Sequence, residues 1–218
     1  MPADIWAKVD QYYSTKLQKK DVIMESVLHA NSEADLPAID VSPNQGKFLS
    51  LLAQLKGAKR ILEIGTLGGY STIWLARALP EDGRLVTLEY SEKHAKVAEQ
   101  NILKAGVEEK VEIKVGAALD TLPTLQGTFD FIFIDADKQN NANYLKWALQ
   151  LSQPGAVIIT DNVVRGGRVI DKDSEDESVQ GVRAFVEMLS QEDRIDSTVV
   201  QTVGSKGYDG FVMGIVKE

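Results

Sequence analysis

No cysteine occurs anywhere in the 218 residues. That excludes disulfides, a thiolate nucleophile and Cys-ligated zinc, and it fits a reducing compartment. Histidine is almost as scarce: His29 and His94 stand alone and far apart, and His94 falls in a stretch that reads as a solvated helix. Neither is assigned a catalytic role. No apolar run approaches the length of a membrane span. Residues 1–10 contain Asp4, Trp6 and Lys8 and no apolar core, so they do not read as a signal peptide, and the cytoplasm is the expected location. Basic residues are outnumbered, 24 to 32, for a formal net charge of −8. An acidic surface repels phosphate backbones, so nucleic acid and anionic membranes are poor default partners. Repeats, low-complexity tracts and Pro/Gly/Ser linkers are also missing.

What is present is ordinary globular material: 44% hydrophobic and 26% charged residues. The length suits one domain over 1–218, with a helical extension over 1–40 and a core over 41–218. In the extension, Ile5, Val9, Tyr12 and Tyr13 recur at helical spacing, as do Val22, Ile23, Val27 and Leu28. Ser42-Pro43-Asn44-Gln45 predicts a helix start with Ser42 as N-cap, Pro43 at the first position and Gln45 completing a capping box. Phe48, Leu51, Leu52 and Leu55 are expected to form that helix's apolar face.

From Lys59 onward the pattern alternates. Apolar runs at 61–64, 84–88, 111–115, 129–134 and 156–160 are separated by helical stretches near 71–79, 92–105, 117–122 and 140–151, with Gly106 as a C-cap. Alternating βα units predict a parallel sheet covered by helices on both faces. A last helix near 178–189 precedes two strands, 198–203 and 211–216, joined through Gly204-Ser205-Lys206-Gly207 as a hairpin. The expected fold is therefore α/β: a doubly wound, mostly parallel seven-stranded sheet ending in an antiparallel hairpin.

In open parallel sheets, ligands bind beyond the carboxyl ends of the strands, where strand order reverses. The first strand ends Ile61-Leu62-Glu63-Ile64-Gly65-Thr66-Leu67-Gly68-Gly69-Tyr70-Ser71. Gly65, Gly68 and Gly69 allow a tight turn and close approach of a ligand. Leu67 stands where a dinucleotide fingerprint needs glycine, and there is no Lys-Ser/Thr pair for a P-loop. A lone glycine loop is more often a plain strand-to-helix turn. Here Glu89, at the tip of the second strand, adds a carboxylate able to accept bonds from both hydroxyls of a ribose. Glu63, set in an apolar strand, needs a cation or donors to offset its burial, and the amino group of an aminoacyl ligand is one candidate.

A second cluster is acidic. The fourth strand ends at Asp135, followed by Ala136-Asp137-Lys138, and the fifth ends at Asp161-Asn162. Each Asp alone could simply cap the next helix. Together, two carboxylates and an amide oxygen at neighbouring strand ends make a hard donor set suited to Mg²⁺, Mn²⁺ or Ca²⁺. Lys138 reads equally as a general base near such a cation or as a salt-bridge partner of Asp135 or Asp137.

With these residues assembled, the stretch Glu63 to Ser71, the stretch Ile134 to Lys138 and Asp161-Asn162 resemble the cation-dependent O-methyltransferases, the family of the plant caffeoyl-coenzyme-A enzymes and their bacterial relatives, with animal catechol O-methyltransferase as a cousin. The resemblance runs from about Ile39 to the C-terminus and points to a bacterial-type member. It implies that Asp135, Asp161 and Asn162 bind a divalent metal, with Mg²⁺ first. It implies that Val41, Glu63, Gly65, Gly69, Ser71, Glu89, Ala118 and Asp135 surround S-adenosylmethionine, and that Lys138 and Asp135 serve catalysis. The family often has Asp where this chain has Glu89, and plant members have Thr at Val41. The first forty residues and 165–177 depart from the plant pattern, so the plant acceptor is not carried over. The implied acceptor is a hydroxyl of a small catechol-like, phenylpropanoid or flavonoid aromatic, and the implied assembly is a homodimer through N-terminal helices bearing Trp6, Tyr12 and Tyr13. A hydroxylated tRNA base is the alternative acceptor, which the −8 charge opposes despite Lys16, Lys19 and Lys20. A non-catalytic nucleoside-binding protein is the alternative outside enzymes, and the intact acids and Lys138 oppose it. A short-chain NAD enzyme is opposed by Leu67.

Overall fold

The computed structural model describes residues 2–218; Met1, the first residue of the expected extension, lies outside them. Three helices come first, Pro2–Leu17 (α1), Val22–Glu33 (α2) and Pro43–Lys56 (α3). The alternating part follows: Arg60–Ile64 (β1), Tyr70–Ala78 (α4), Arg84–Glu89 (β2), Glu92–Lys104 (α5), Val111–Val115 (β3), Ala118–Thr121 (α6), Phe129–Ile134 (β4), Asn141–Gln150 (α7) and Ser152–Asp161 (β5). Glu177–Ser190 (α8), Ile195–Gly204 (β6) and Gly207–Val216 (β7) close the chain.

The seven strands lie in the order β3-β2-β1-β4-β5-β7-β6, with β7 antiparallel to both neighbours. The order reverses between β1 and β4, because the chain winds outward through β2 and β3 and then returns to the other side of β1. That reversal opens a crevice at the carboxyl ends of the two strands.

Strand periodicity divides the core. Leu62, Ile64, Ile132, Ile134 and Ile158 face Tyr144, Leu145, Val182 and Phe185 of α7 and α8. Ile61, Phe131, Phe133, Val157 and Ile159 face Val27, Leu49, Ile73 and Ile102 on the opposite side. Each such side chain, fully buried, contributes roughly 1.5–3 kcal/mol. Glu63 shares the Ile61 face and lies beneath α4.

Some expectations need correction. The hairpin strands are longer than predicted, ten residues each, leaving only Ser205-Lys206 as the turn. β5 begins at Ser152 and not at 156, running through Pro154-Gly155, where the β4 register shifts. The turn at 122–124, after α6, and the turn at 138–140, before α7, are 3₁₀. In α3 the buried face is Gly46, Leu49, Ser50 and Ala53, whereas Phe48, Leu51 and Leu55 are exposed. The reason is tight packing on α4, where a Cβ at Gly46 would fall 2.3 Å from the Trp74 ring. The large residues are turned away from that contact. Of the N-terminal aromatics, Tyr12 and Tyr13 are exposed and Trp6 is half-buried.

Candidate functional site

The crevice is a cavity of about 810 Å³ at the tips of β1, β2, β4 and β5. Val41, Gly65, Ser71, Glu89, Ala118, Asp135, Lys138 and Asn162, all singled out in the sequence, line it. Glu63, Gly69 and Asp161 stand behind this lining.

The loop after β1 is shaped by its neighbours. Gly65 has φ 102°, and a Cβ there would fall 2.1 Å from the carbonyl oxygen of Asp135. Only glycine lets β1 and β4 come that close. Leu67 has φ 50°, so the left-handed turn persists without a glycine. What holds it is Glu89, whose Oε2 accepts the backbone N–H groups of Thr66 (3.2 Å) and Leu67 (2.8 Å). Its Oε1 accepts from Ser91 N at 2.9 Å and lies 3.2 Å from His94 Nδ1. Glu89 is thus a brace of the glycine loop as well as a strand-tip acid. His94, which read as solvated, instead leans on Glu89 and lines the cavity. The i+5 spacing across a strand-to-helix turn carries no sequence signal for that contact.

Glu63 is fully buried, and Ser71 Oγ (2.6 Å), Thr72 Oγ1 (2.5 Å) and Thr87 Oγ1 (2.8 Å) donate to it. Within the protein its donors therefore come from α4 and β2. Burial, opposed by these three bonds, still pushes its carboxyl up to about 7. Ser71, which does line the cavity, is the link between Glu63 and a ligand. Gly69 (φ 84°) starts α4 behind the loop.

The acidic end is built differently. Lys138 Nζ donates to Asp135 Oδ1 at 2.8 Å, the ion pair that is one of the two readings of Lys138. Asp161 is 4% exposed, and burial together with the charge of Asp135 raises its carboxyl to about 7. Asn162 N donates to Asp161 Oδ1 at 2.7 Å, while Gln45 Nε2 donates to Oδ2 at 2.5 Å. The Gln45 bond corrects the capping-box expectation. Ser42 Oγ does accept from Gln45 N at 3.2 Å, but the Gln45 side chain reaches across the fold to Asp161. Sequence reasoning missed this role because 116 residues separate the partners.

These groups fit a hard cation. Two carboxylates held close repel unless a proton or a cation intervenes, and Lys138, paired with Asp135 and felt by Asp161, is a single positive charge for the two. Among the described residues no three of His, Cys, Asp or Glu gather around a common point. A cation here would draw on Asp135, Asp161 and the amide oxygen of Asn162, an all-oxygen set.

Known proteins share this fold. A family model described as O-methyltransferase matches residues 13–211. A catechol O-methyltransferase of Niastella koreensis is 52% identical over 221 aligned residues, covering all of both chains. The solved O-methyltransferase of Bacillus cereus in complex with SAH is 59% identical, with a TM-score of 0.97 over 99% of this chain and 100% of that one. Caffeoyl-CoA O-methyltransferase 2 of Populus trichocarpa is 39% identical over 135 residues, 59% of this chain and 55% of its own length. From the seven-stranded fold, the family match and the full-length relative, the chain belongs to the O-methyltransferase family.

Proposed function

We propose that the chain transfers a methyl group from S-adenosylmethionine to a phenolic hydroxyl of a small catechol-like aromatic, with a divalent cation, Mg²⁺ first, at Asp135, Asp161 and Asn162. The observation that carries the reading is one cavity holding two unlike ends. At one end, Glu89 and the Gly65 loop offer a nucleoside a carboxylate and a closely approached backbone. At the other, buried Asp161 and the Asp135–Lys138 pair await charge. The full-length likeness to a catechol O-methyltransferase favours a catechol over a coenzyme-A ester, since the plant relative matches only part of the chain. The −8 net charge favours a small molecule over tRNA. A homodimer belongs to the same proposal, supported by Ile5, Tyr12, Tyr13 and Leu17 exposed along α1. So does the cytoplasm, where a cysteine-free chain forgoes nothing.

S-adenosylmethionine supplies a methyl on a sulfonium centre. A cation, when bound, supplies Lewis acidity and positive charge for a developing phenolate. The chain's own residues do the rest. Glu89 and the loop amides it holds fix one partner. Lys138 Nζ, steered by Asp135 Oδ1, stands at the other end of the cavity and, in its neutral amine form, receives the hydroxyl proton and becomes the ammonium that pairs with Asp135. Burial of Asp161 and Glu63 keeps water from the groups behind the lining. Holding nucleophile and methyl in line is worth up to ~7–11 kcal/mol in favourable cases.

The test is chelation. Protein made metal-free with EDTA, checked by elemental analysis, should lose turnover on catechol, keep its affinity for SAH by calorimetry, and recover on addition of Mg²⁺. Methylation at the original rate by the metal-free protein would overturn the metal assignment.

A further inference from the structure

Six Asp, Glu, Lys or Arg side chains line the cavity: Asp40, Glu89, Asp135, Asp137, Lys138 and Arg165. Five of them already have side-chain or backbone partners. Asn31 Nδ2 donates to Asp40, the loop amides to Glu89, Lys138 to Asp135, and Tyr144 and Asn140 to Asp137. The guanidinium of Arg165 makes no hydrogen bond or salt bridge among the described residues, its Nε is shut off from solvent as well, and only the field of Asp176 reaches it. A buried N–H without an acceptor is costly, the more so on a charged group. The natural counter-ion, Asp176, is spent elsewhere: its Oδ1 caps α8 through Ser178 N (2.8 Å) and Val179 N (3.3 Å), and its Oδ2 accepts from Arg168 at 2.7 Å.

The backbone beneath Arg165 is held in place against its own preference. Arg165 has φ 56°, followed by Gly166 at 65° and Gly167 at 89°. A non-glycine residue in the left-handed region is uncommon and persists when its surroundings over-determine it. Here Asp209 Oδ1 accepts both Val164 N (3.0 Å) and Arg165 N (2.9 Å), and the Arg165 carbonyl accepts from Arg168 Nε at 3.1 Å. The strained turn thus presents to the cavity one cation that no carboxylate hydrogen-bonds. Its position is set by sheet order. Arg165 follows β5, whereas the glycine loop follows β1, and Asp135 at the tip of β4 lies between them. The cation faces the acceptor's side of the acidic pair and not the nucleoside's.

We propose that Arg165 binds an anionic substituent of the methyl acceptor, so that the preferred substrate class is a catechol carrying a carboxylate. The planar guanidinium meets a carboxylate through two parallel N–H···O bonds, which gives orientation as well as affinity. A carboxylate on one side of the ring would also decide which of the two hydroxyls is presented for transfer. This inference rests on the catechol reading above.

The experiment compares two acceptors of nearly the same shape, 3,4-dihydroxybenzoate and 3,4-dihydroxybenzamide, on the Mg²⁺-loaded wild-type enzyme and on Arg165→Met and Arg165→Lys. The wild type should show a kcat/KM ratio of roughly tenfold or more in favour of the benzoate. In Arg165→Met that ratio should collapse toward unity, chiefly through KM for the benzoate, and Arg165→Lys should restore part of it. Comparing variants cancels the difference in phenol acidity between the acceptors. SAH affinity by calorimetry reports whether each variant keeps its fold and cofactor site, and it should be unchanged. A ratio that survives in Arg165→Met overturns the proposal, as does a loss of SAH affinity equal to the loss on the benzoate. Equal turnover of both acceptors by the wild type overturns it while leaving the catechol reading intact. No turnover of either acceptor removes the catechol reading and this inference together.

Discussion

The two ends of the cavity both rest on buried carboxylates, and they satisfy them in opposite ways. At the nucleoside end, three hydroxyls donate to Glu63, and backbone N–H groups of the loop and of the α5 start donate to Glu89. At the acidic end, Asp135 and Asp161 repel one another, with one ammonium, one amide and one backbone N–H between them. The first end has its partners within the protein, which suits pre-organised binding. The second is left short of positive charge, and that supports the cation we propose there.

The contrast breaks most sharply at Asp161. Asp161→Ala should lower kcat by at least ~10³-fold, since it removes a cation ligand and with it the acidity of the acceptor. SAH affinity should stay within about threefold, because the loop and Glu89 are untouched. Calorimetry beside steady-state kinetics reads both, and a parallel fall in SAH affinity would mean the two ends are not separate.

The reciprocal cut is smaller. Glu89→Ala should weaken SAH binding by ~1.5–3 kcal/mol, roughly 10- to 150-fold, while leaving the Mg²⁺ concentration for half-maximal rate unchanged. Part of that loss comes from the loop itself, since Thr66 N and Leu67 N lose their acceptor. Unchanged SAH affinity in a folded variant would remove Glu89 from the site.

The mildest probe is pH. The Glu63 carboxyl is raised from 4.5 to about 7, so the folded state holds a proton that the unfolded state has released between those values. Stability therefore falls as pH rises from about 4.5 to 7 and levels off above, with Glu63 responsible for up to ~3 kcal/mol of the fall. Asp161, also raised to about 7, adds a loss of the same sign. Glu63→Gln stays neutral throughout and should remove about half of the drop in Tm between pH 5 and pH 8. A slope as steep as the wild type's would show that Glu63 is not the group that titrates.

Much of this was legible in the residues alone. Strands showed themselves as short β-branched and aromatic runs and helices as 3.6-residue periods, because both patterns are local. The clustering of Gly65, Glu89, Asp135 and Asn162 was legible too, because parallel strands all deliver their carboxyl ends to one edge. The face of α3 was misread, since Phe48, Leu51 and Leu55 keep helical spacing while the close fit of Gly46 on Trp74 decides which side is buried. His94 and Gln45 gave no signal, being polar residues whose partners are set by packing.

The sequence by itself therefore determined the order of elements, the mostly parallel sheet and the identity of the strand-tip acids, all consequences of periodicity and chain order. Only the tertiary structure decided that Glu63 is fed by hydroxyls behind the cavity, that Gln45 holds Asp161 across 116 residues, and that Arg165, alone among the charged lining of the described residues, makes no side-chain hydrogen bond. Those are matters of which donor reaches which acceptor, and hydrogen bonds of about 3 Å between distant residues exist only once the sheet has brought them together.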